Sequence, residues 1–378
     1  MEVHILDSLA EVAPAAWDRL GNGQPFLRHA YLDALHRSGS AAPACGWSPC
    51  YLTLWSRGDL AAATMLYRKD HSYGEFVFDW SWAEAYARLG RPYYPKFVVQ
   101  VPFTPVTGPR LLAADDAARA ELVGALLDLT LRSAIPSLHV LFPTPREAGE
   151  LSAAGLLLRH GIQFHWLNQG WSDFEAFLAS LSRDKRKKIR QDRRRVADAG
   201  IATERVTGAA IGNDDWDFFY DCYRRTYLSR GRHPYLNLEF FRRLGAAMPD
   251  RLLLTIARRE AQPVASSLSL FDDSRLYGRY WGSVEDIPCL HFEVCYYQPI
   301  EFCLARGLAV FEGGAQGEHK LARGFRPVET LSAHWLADAR FRRAVADFLK
   351  REKQAIDLYR GELEQHLPFK TAPEQGRE

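Results

Sequence analysis

One glycine-rich segment, FEGGAQGEHKLARGF (Phe311–Phe325), combines more kinds of reactive side chain than its neighbours. It follows an apolar run that predicts a buried strand, and glycines after a strand let the backbone approach a ligand closely. A surface hairpin would not need so many unlike titratable groups beside glycines, so we expect a ligand site or catalytic site here. The candidate residues are Glu312, Gly313, Gly314, Gln316, Gly317, Glu318, His319, Lys320 and Arg323.

A second segment, CLHFEVCYYQP (Cys289–Pro299), begins a helix predicted from Leu290 to Arg306. The free amides of a helix start can bind a pyrophosphate or carboxylate, which makes His291 and Glu293 candidate binding residues. Alternatively, Glu293 only complements the helix dipole, and the sequence favours neither interpretation. Zinc binding by the nearby cysteines is disfavoured because their spacing matches no closed zinc site.

A third segment, Arg183–Arg195, contains nine basic and two acidic residues, a local charge of +7. The whole chain carries 48 basic and 46 acidic residues, so the remainder has a net charge of −5 within the total of +2. The segment predicts either a solvated helix over a narrow apolar stripe or an anion site for phosphate or RNA. The candidates for anion binding are Lys185, Arg186, Lys188 and Arg190.

The aromatic segment from Tyr73 to Arg110 predicts mainly core, together with a rigid wall of a substrate cleft. Its candidate binding residues are Trp80, Trp82, Tyr94 and Lys96. The chain has no P-loop, GxGxxG, HExxH or GxSxG motif, which disfavours nucleotide hydrolysis, dinucleotide redox, zinc proteolysis and esterase chemistry.

The elements that must position these residues follow one order twice: strand, two helices, three strands, helix, strand. This predicts an α/β fold of two similar domains, each with a mixed sheet wrapped by helices. At 47% hydrophobic residues the chain is not disordered. The start lacks a signal-like apolar region and no run is long and apolar enough to span a membrane, so we expect a cytoplasmic protein with free cysteines. The predicted boundaries are 1–170, 171–338 with a basic helix at 183–199, an amphipathic helix at 339–366 and a disordered tail at 367–378.

Five segments carry a family resemblance: FDWSWAEAY, YYPK, PFTPVTGPR, LHFEVCYY and GGAQGEHKLARGF. They resemble the FemAB-like predicted N-acyltransferases, often labelled peptidoglycan-biosynthesis proteins of bacteria, over about residues 1 to 368. The element order resembles the GNAT (acyl-CoA N-acyltransferase-like) fold in tandem. The basic segment is similar to the helix that opens the second domain of FemABX peptidyltransferases.

The resemblance implies transfer of an acyl or aminoacyl group from an activated donor to an amine. The donor would be a co-substrate rather than a tightly bound cofactor, either acyl-CoA as in GNAT enzymes or aminoacyl-tRNA as in FemABX enzymes. The acceptor would be a small-molecule or cell-wall-precursor amine, with tRNA bound through the basic helix. The chain has GSVEDIPCLHFE where GNAT enzymes have their pyrophosphate loop, which counts against CoA.

In this chemistry Glu318 or His319 would accept the amine proton, and amides between Gly313 and Gly317 would stabilise the oxyanion. Lys320 and Arg323 would join the basic helix in binding an anion. Two other functions stay open: a catalytically silent module that binds an anionic ligand, and an accessory protein that binds RNA.

Overall fold

A computed structural model describes residues 1–314 and 317–370, so Gln316 and the tail from residue 371 lie outside the described residues. The strands are β1 (Glu2–Leu6), β2 (Trp47–Pro49), β3 (Tyr51–Ser56), β4 (Asp59–Thr64), β5 (Leu66–Lys69), β6 (Lys96–Val99), β7 (Leu112–Ala113), β8 (Ser137–Leu141), β9 (Leu157–Leu167), β10 (Ile201–Thr207), β11 (Leu252–Arg259), β12 (Gln262–Phe271), β13 (Arg275–Ser283), β14 (Val310–Glu312) and β15 (Phe325–Leu336). The helices are α1 (Pro14–Leu20), α2 (His29–Arg37), α3 (Trp80–Arg88), α4 (Asp116–Arg132), α5 (Pro145–Ala153), α6 (Phe174–Ser180), α7 (Arg183–Asp198), α8 (Asn213–Leu228), α9 (Leu238–Ala247), α10 (Leu290–Phe292), α11 (Gln298–Arg306) and α12 (Ala339–Gln365).

The chain forms two compact units, and each contains separate stretches of sequence. Unit 1 comprises Met1–Gly161, Tyr235–Met248 and Glu329–Asp357. Unit 2 comprises Ile162–Pro234, Pro249–Val328 and the remainder from Leu358. These units are defined by contacts between residues, whereas the predicted domains are continuous stretches of sequence. The domain boundaries given above therefore remain a prediction.

Unit 1 contains an antiparallel sheet in the order β1-β3-β4-β7 and a second series in the order β15-β8-β6-β5-β2. Helix α4 covers apolar residues of β3, β4 and β8 and begins after Asp115, whose carboxylate accepts a hydrogen bond from the Ala118 amide at 2.7 Å. Helix α9 packs against α2, where the rings of Tyr31 and Phe240 lie 5.6 Å apart.

Unit 2 is built on strands in the order β10-β11-β12-β13-β14-β9. The β13 and β14 pair is parallel, whereas the other pairs of this series are antiparallel. The apolar face of the sheet packs against α6 and α11. The parallel pairing ends at Tyr277 and Glu312, yet β13 continues to Ser283. The end of this pairing positions the candidate site described below.

The second half follows the predicted order of elements, with β10, α8, α9, three strands, a helix and β14. The predicted basic helix and the long C-terminal helix are also present, as α7 and α12. The single helix predicted from Leu290 to Arg306 is wrong in one respect, because a π-helical turn, Glu293–Tyr297, separates α10 from α11. Among the described residues, no helix combines the length and apolar character needed to cross a bilayer.

Candidate active site

A pocket lies where the β13–β14 pairing ends, and it is the centre of the candidate site. Its volume is about 400 Å³ including the part open to solvent, at the small end of the usual range for ligand sites. Two strands, the helix start and the glycine turn all contribute to its wall. The lining residues are Ser267, Leu268, Ser269, Gly278, Arg279, Tyr280, Trp281, His291, Cys295, Tyr296, Gly313 and Gly314.

The π turn shapes one wall of this pocket. The Ser267 hydroxyl of β12 donates a hydrogen bond to the Val294 carbonyl at 3.1 Å and so binds the widened turn to the sheet. Cys295 and Tyr296 from this turn line the pocket. π turns are frequent at functional sites. Burial raises the pKa of the Cys295 thiol, so this cysteine stays protonated and is a poor nucleophile.

The glycine turn after β14 connects Lys320 to the wall of the pocket. A side chain at Gly313 would collide with the Phe325 ring, and Gly314 adopts a φ of +86°, so both positions require glycine. The Lys320 ammonium donates a hydrogen bond to the Gly314 carbonyl at 2.8 Å. Lys320 is 2% exposed and forms no ion pair with the residues that the structure describes. Burial lowers its pKa to about 8.

His319 lies next to Lys320 in a short 3-10 helix, Glu318–Arg323. Its Nε2 atom is 2.9 Å from the Tyr296 hydroxyl, and its ring covers Gly317, where a Cβ atom would collide with it. Burial, followed by the charges of Lys320 and Arg323, lowers the pKa of His319. A neutral imidazole at pH 7 follows, and such a group can accept a proton.

Arg323 and Asp192 connect the 3-10 helix to the basic helix α7. Arg323 donates from Nη2 to Asp192 at 3.1 Å and from Nη1 to the His319 carbonyl at 2.8 Å. Its guanidinium carbon lies 3.3 Å from the centre of the Phe292 ring. Asp192 is 1% exposed and also accepts a hydrogen bond from the Tyr297 hydroxyl at 3.0 Å. One buried carboxylate therefore joins α7, the π turn and the turn that carries His319 and Lys320.

The comparison with protein families decides the identity of this chain. The FemAB_like family model, described as peptidoglycan biosynthesis/recognition, matches residues 8–371. The chain belongs to the FemAB_like family. The family resemblance predicted from the sequence is therefore confirmed, and membership supports a transferase. No curated protein matches the chain.

Solved structures share the fold of this FemAB_like chain at low sequence identity. The C-terminal domain of a putative lysylphosphatidylglycerol synthetase from Agrobacterium fabrum aligns with a TM-score of 0.55 at 12% identity, over 90% of this chain and 96% of its own. FemX aligns with a TM-score of 0.52 at 12% identity, over 92% and 100%. L-PGS from Bacillus licheniformis aligns with a TM-score of 0.56 at 9% identity, over 93% and 99%. The element order and these likenesses confirm the predicted tandem GNAT-like α/β fold.

Three acidic candidates of this FemAB_like chain are engaged with partners. Glu312 pairs with Arg275 at 3.2 Å, and burial raises its pKa to about 7. Glu293 accepts hydrogen bonds from both Arg193 and Gln298. Glu318 is exposed and accepts a hydrogen bond from the Tyr359 hydroxyl of α12. His291, Gly313 and Gly314 therefore line the pocket, and His319 and Lys320 contact two of its lining residues, Tyr296 and Gly314. The three carboxylates have other contacts.

His291 is a wall of the pocket. Its ring lies 4.6 Å from Trp281 and 6.1 Å from His319, measured between ring centres. Burial, and then the charge of His319 and of nearby cations, lowers the pKa of His291 to about 4. The His291 imidazole is therefore neutral at pH 7 and presents an uncharged aromatic ring to the pocket.

The basic candidates of α7 fall into two groups. Arg186 and Arg190 line a surface groove together with Arg183, Lys187, Gln191 and Arg194. Arg190 also pairs with Glu175, and Lys188 pairs with Asp192 at 3.3 Å. Lys185 is half-buried. Part of the cluster thus forms an open cationic face on the helix.

The remaining candidates belong to unit 1. Lys96 is completely buried and donates to Ser72 at 2.7 Å, Glu75 at 2.7 Å and Asp79 at 2.5 Å. The Tyr94 hydroxyl lies 2.8 Å from that of Ser72. The Trp82 side chain is buried, and the centre of its ring lies 5.0 Å from that of His334. Trp80, in contrast, is 40% exposed.

Sequence reasoning missed the contribution of β12 and β13 to the pocket. Ser267, Ser269, Arg279 and Trp281 line it, and Tyr296 bonds to His319. The sequence signal was present, since β13 carries an arginine between glycine and two aromatic residues. Its meaning depends on the register with β14, which no local pattern reveals.

Proposed function

We propose that this chain is an N-acyltransferase whose reaction takes place in the unit 2 pocket. The observation that carries the proposal is Lys320, a buried cation beside the Gly313–Gly314 turn that forms no ion pair with described residues. A buried ammonium is costly to fold and gives its largest benefit where negative charge develops on a substrate. Membership of the FemAB_like family supports the same reaction class.

The proposed reaction needs a nucleophilic amine and an activated acyl donor, either a thioester or an ester. The amine nitrogen attacks the carbonyl carbon, a C–N bond forms, and the carbonyl electrons move to oxygen. When this intermediate collapses, the bond from carbon to the leaving sulfur or oxygen breaks. One amine proton is taken up by the enzyme and returned to the leaving group, so the products are an amide and a free thiol or hydroxyl.

Residues in and beside the pocket supply the roles that this reaction requires. His319, neutral at pH 7, accepts the amine proton, and the Tyr296 hydroxyl at 2.9 Å orients its ring. The Lys320 ammonium stabilises the oxyanion. Glu318 is an alternative proton acceptor that lies one residue away and contacts Tyr359.

A groove next to the pocket is the proposed place for the carrier portion of the donor. It shares Trp281 and His291 with the pocket and extends over the β13–α10 loop, where Glu285 and Asp286 line it, to the end of α8, where Arg224, Arg225 and Arg230 line it. Cationic side chains suit the phosphates of CoA or of a tRNA 3′ end. The family description supports a peptidoglycan precursor as the amine acceptor.

The test is transfer of a labelled acyl group from acetyl-CoA or alanyl-tRNA to an amine-bearing peptidoglycan precursor. We expect Lys320→Met and His319→Gln each to reduce kcat at least 100-fold, and Lys320→Arg to retain part of the activity. Lys350→Met, an exposed lysine on α12, is the matched control. Full activity of both site variants would remove these residues from the mechanism.

A second function, RNA binding without catalysis, is favoured by the cationic groove on α7. It predicts RNA affinity that falls steeply with salt and is reduced by Arg186→Ala and Arg194→Ala, because each neutralised phosphate releases counterions. Binding of donors or RNA with no turnover of any donor would support this function over acyl transfer.

A further inference from the structure

We infer that the unit 2 pocket accepts an uncharged or anionic acyl group and discriminates against an acyl group that carries an α-ammonium. This inference rests on the proposed function and specifies its substrate class. It distinguishes the two donor types, since the α-amine is what separates an aminoacyl group from a simple acyl group of the same size.

The first argument is the lack of a carboxylate to receive an ammonium. No acidic residue lines the pocket among the residues that the structure describes, and the undescribed positions 315 and 316 are Ala and Gln. The acids nearest in the sequence to its lining residues have other partners: Glu312 pairs with Arg275, Glu293 pairs with Arg193, and Asp272 accepts a hydrogen bond from the Tyr277 hydroxyl. Buried charges in proteins are paired, so an α-ammonium here would lack its usual partner.

The second argument is the positive charge around the pocket. Arg279 lines the wall, and Lys320 donates to the carbonyl of Gly314, which also lines it. Like charges repel, and screening by water is weaker inside a pocket than on the open surface, so an added ammonium is disfavoured and a carboxylate is favoured. The charges of Lys320 and Arg323 also lower the pKa of His319, after the larger effect of burial.

The third argument is the small size of three lining residues. Ser267 and Ser269 of β12 and Gly278 of β13 have small side chains or none, which leaves room inside the pocket. The Ser267 hydroxyl is already donated to the Val294 carbonyl. This part of the lining therefore accommodates a short chain or a distal carbonyl or carboxylate group and contains no carboxylate.

The experiment compares non-reactive donor analogues that differ only in the acyl group. Acetamido, succinamido and glycylamido forms are made on two carriers, 3′-amino-3′-deoxyadenosine and the amine analogue of pantetheine. Their dissociation constants are measured by calorimetry at pH 7 and pH 9.5, since an α-amine loses its proton near pH 8. We expect the acetamido form to bind at least 10-fold more tightly than the glycylamido form at pH 7 on the preferred carrier. This ratio should shrink at pH 9.5.

Arg279→Glu should reduce or reverse the ratio, whereas Arg343→Glu, an exposed site on α12, should leave it unchanged. The pH comparison uses the unaltered protein, so the inference is testable even if the Arg279 variant does not fold. Equal or tighter binding of the glycylamido form at pH 7 would overturn it, as would the absence of binding by every analogue on both carriers. Selective binding without acyl transfer would instead contradict the proposed function and leave the selectivity standing.

Discussion

At the scale of single residues, Lys320 combines a cost in stability with a proposed benefit in catalysis. Its pKa in the folded chain is about 8, against 10.5 for an ordinary lysine. The unfolded chain therefore holds this proton more tightly than the folded chain does. The free-energy cost of burying the charged Lys320 is therefore complete below pH 8, and it decreases as the pH rises from 8 towards 10.5.

We therefore expect Lys320→Met to increase the free energy of unfolding by about 2 kcal/mol at pH 7, after allowing about 1 kcal/mol for the lost hydrogen bond to Gly314. The gain should decline by pH 10. Urea unfolding at both pH values measures it, with Lys350→Met as the control. A loss of stability at pH 7, or a gain independent of pH, would contradict this account of the buried charge.

Gly317 is the second residue whose replacement makes a sharp prediction. It has a φ of +117°, and an added Cβ atom would collide with the His319 imidazole. We expect Gly317→Ala to destabilise the fold by about 1–2 kcal/mol and to reduce kcat at least 10-fold, because the ring must move away from Tyr296.

Gly170→Ala provides the matched comparison for that variant. Gly170 also has a positive φ, +88°, but a Cβ atom there meets no other atom within 4 Å. It should lose stability through backbone strain alone and keep full activity. If Gly317→Ala behaved in the same way, the position of the His319 ring would not matter to the reaction.

At the scale of elements, Asp192 connects helix α7 to the π turn and to the 3-10 helix. Asp192→Asn keeps the shape and removes the negative charge that faces Arg323. We expect kcat to fall about 10-fold. We also expect the acidic limb of its pH profile to move to lower pH, since an uncompensated Arg323 lowers the pKa of His319 further.

The pH profile separates positioning from simple damage to the fold. Asp198→Asn, an exposed carboxylate at the end of the same helix, should leave both kcat and the profile unchanged. A lower kcat with an unshifted acidic limb would show that Asp192 acts on stability alone. Rescue by Asp192→Glu would support the role of its charge.

The elements differ in how far the sequence could predict them. Helix α7 was predictable because Ile189 and Val196 recur with helical spacing among charged residues. The π turn was not, since its extra residue is held by Ser267 from β12, a contact distant in sequence. Glu293 was ambiguous for the same reason, because its partner Arg193 lies 100 residues earlier. Local patterns predict elements, whereas the choice among candidate site residues depends on distant partners.

At the scale of the whole molecule, a buried ionic cluster supports unit 1. Lys69 and Lys96 are directly opposite each other in the antiparallel β5–β6 pair, and both are fully buried. Two ammonium groups so close together repel each other. The carboxylates of Glu75 and Asp79 offset this repulsion through their ion pairs with Lys96. The aromatic segment of the sequence thus carries a charged interior that its composition did not reveal.

Lys96→Met should destabilise the protein by about 3–5 kcal/mol, because two buried carboxylates lose their cation. Chemical unfolding monitored by tryptophan fluorescence measures the change, with Lys350→Met again as the control. The control should differ from the unaltered protein by less than about 0.5 kcal/mol. A small effect for Lys96→Met would indicate that water or rearranged side chains compensate the carboxylates.

Helix α9 has a consequence for the synthesis of this protein. It belongs to the second half of the sequence, yet it packs in unit 1 against α2, and unit 1 also requires residues up to Asp357. The ribosome must therefore release most of the chain before either unit is complete. Unit 2 likewise includes Leu358 onward. A fragment ending at residue 170 would expose the α2 surface that Phe240 covers, and we expect it to aggregate rather than to fold as an independent domain.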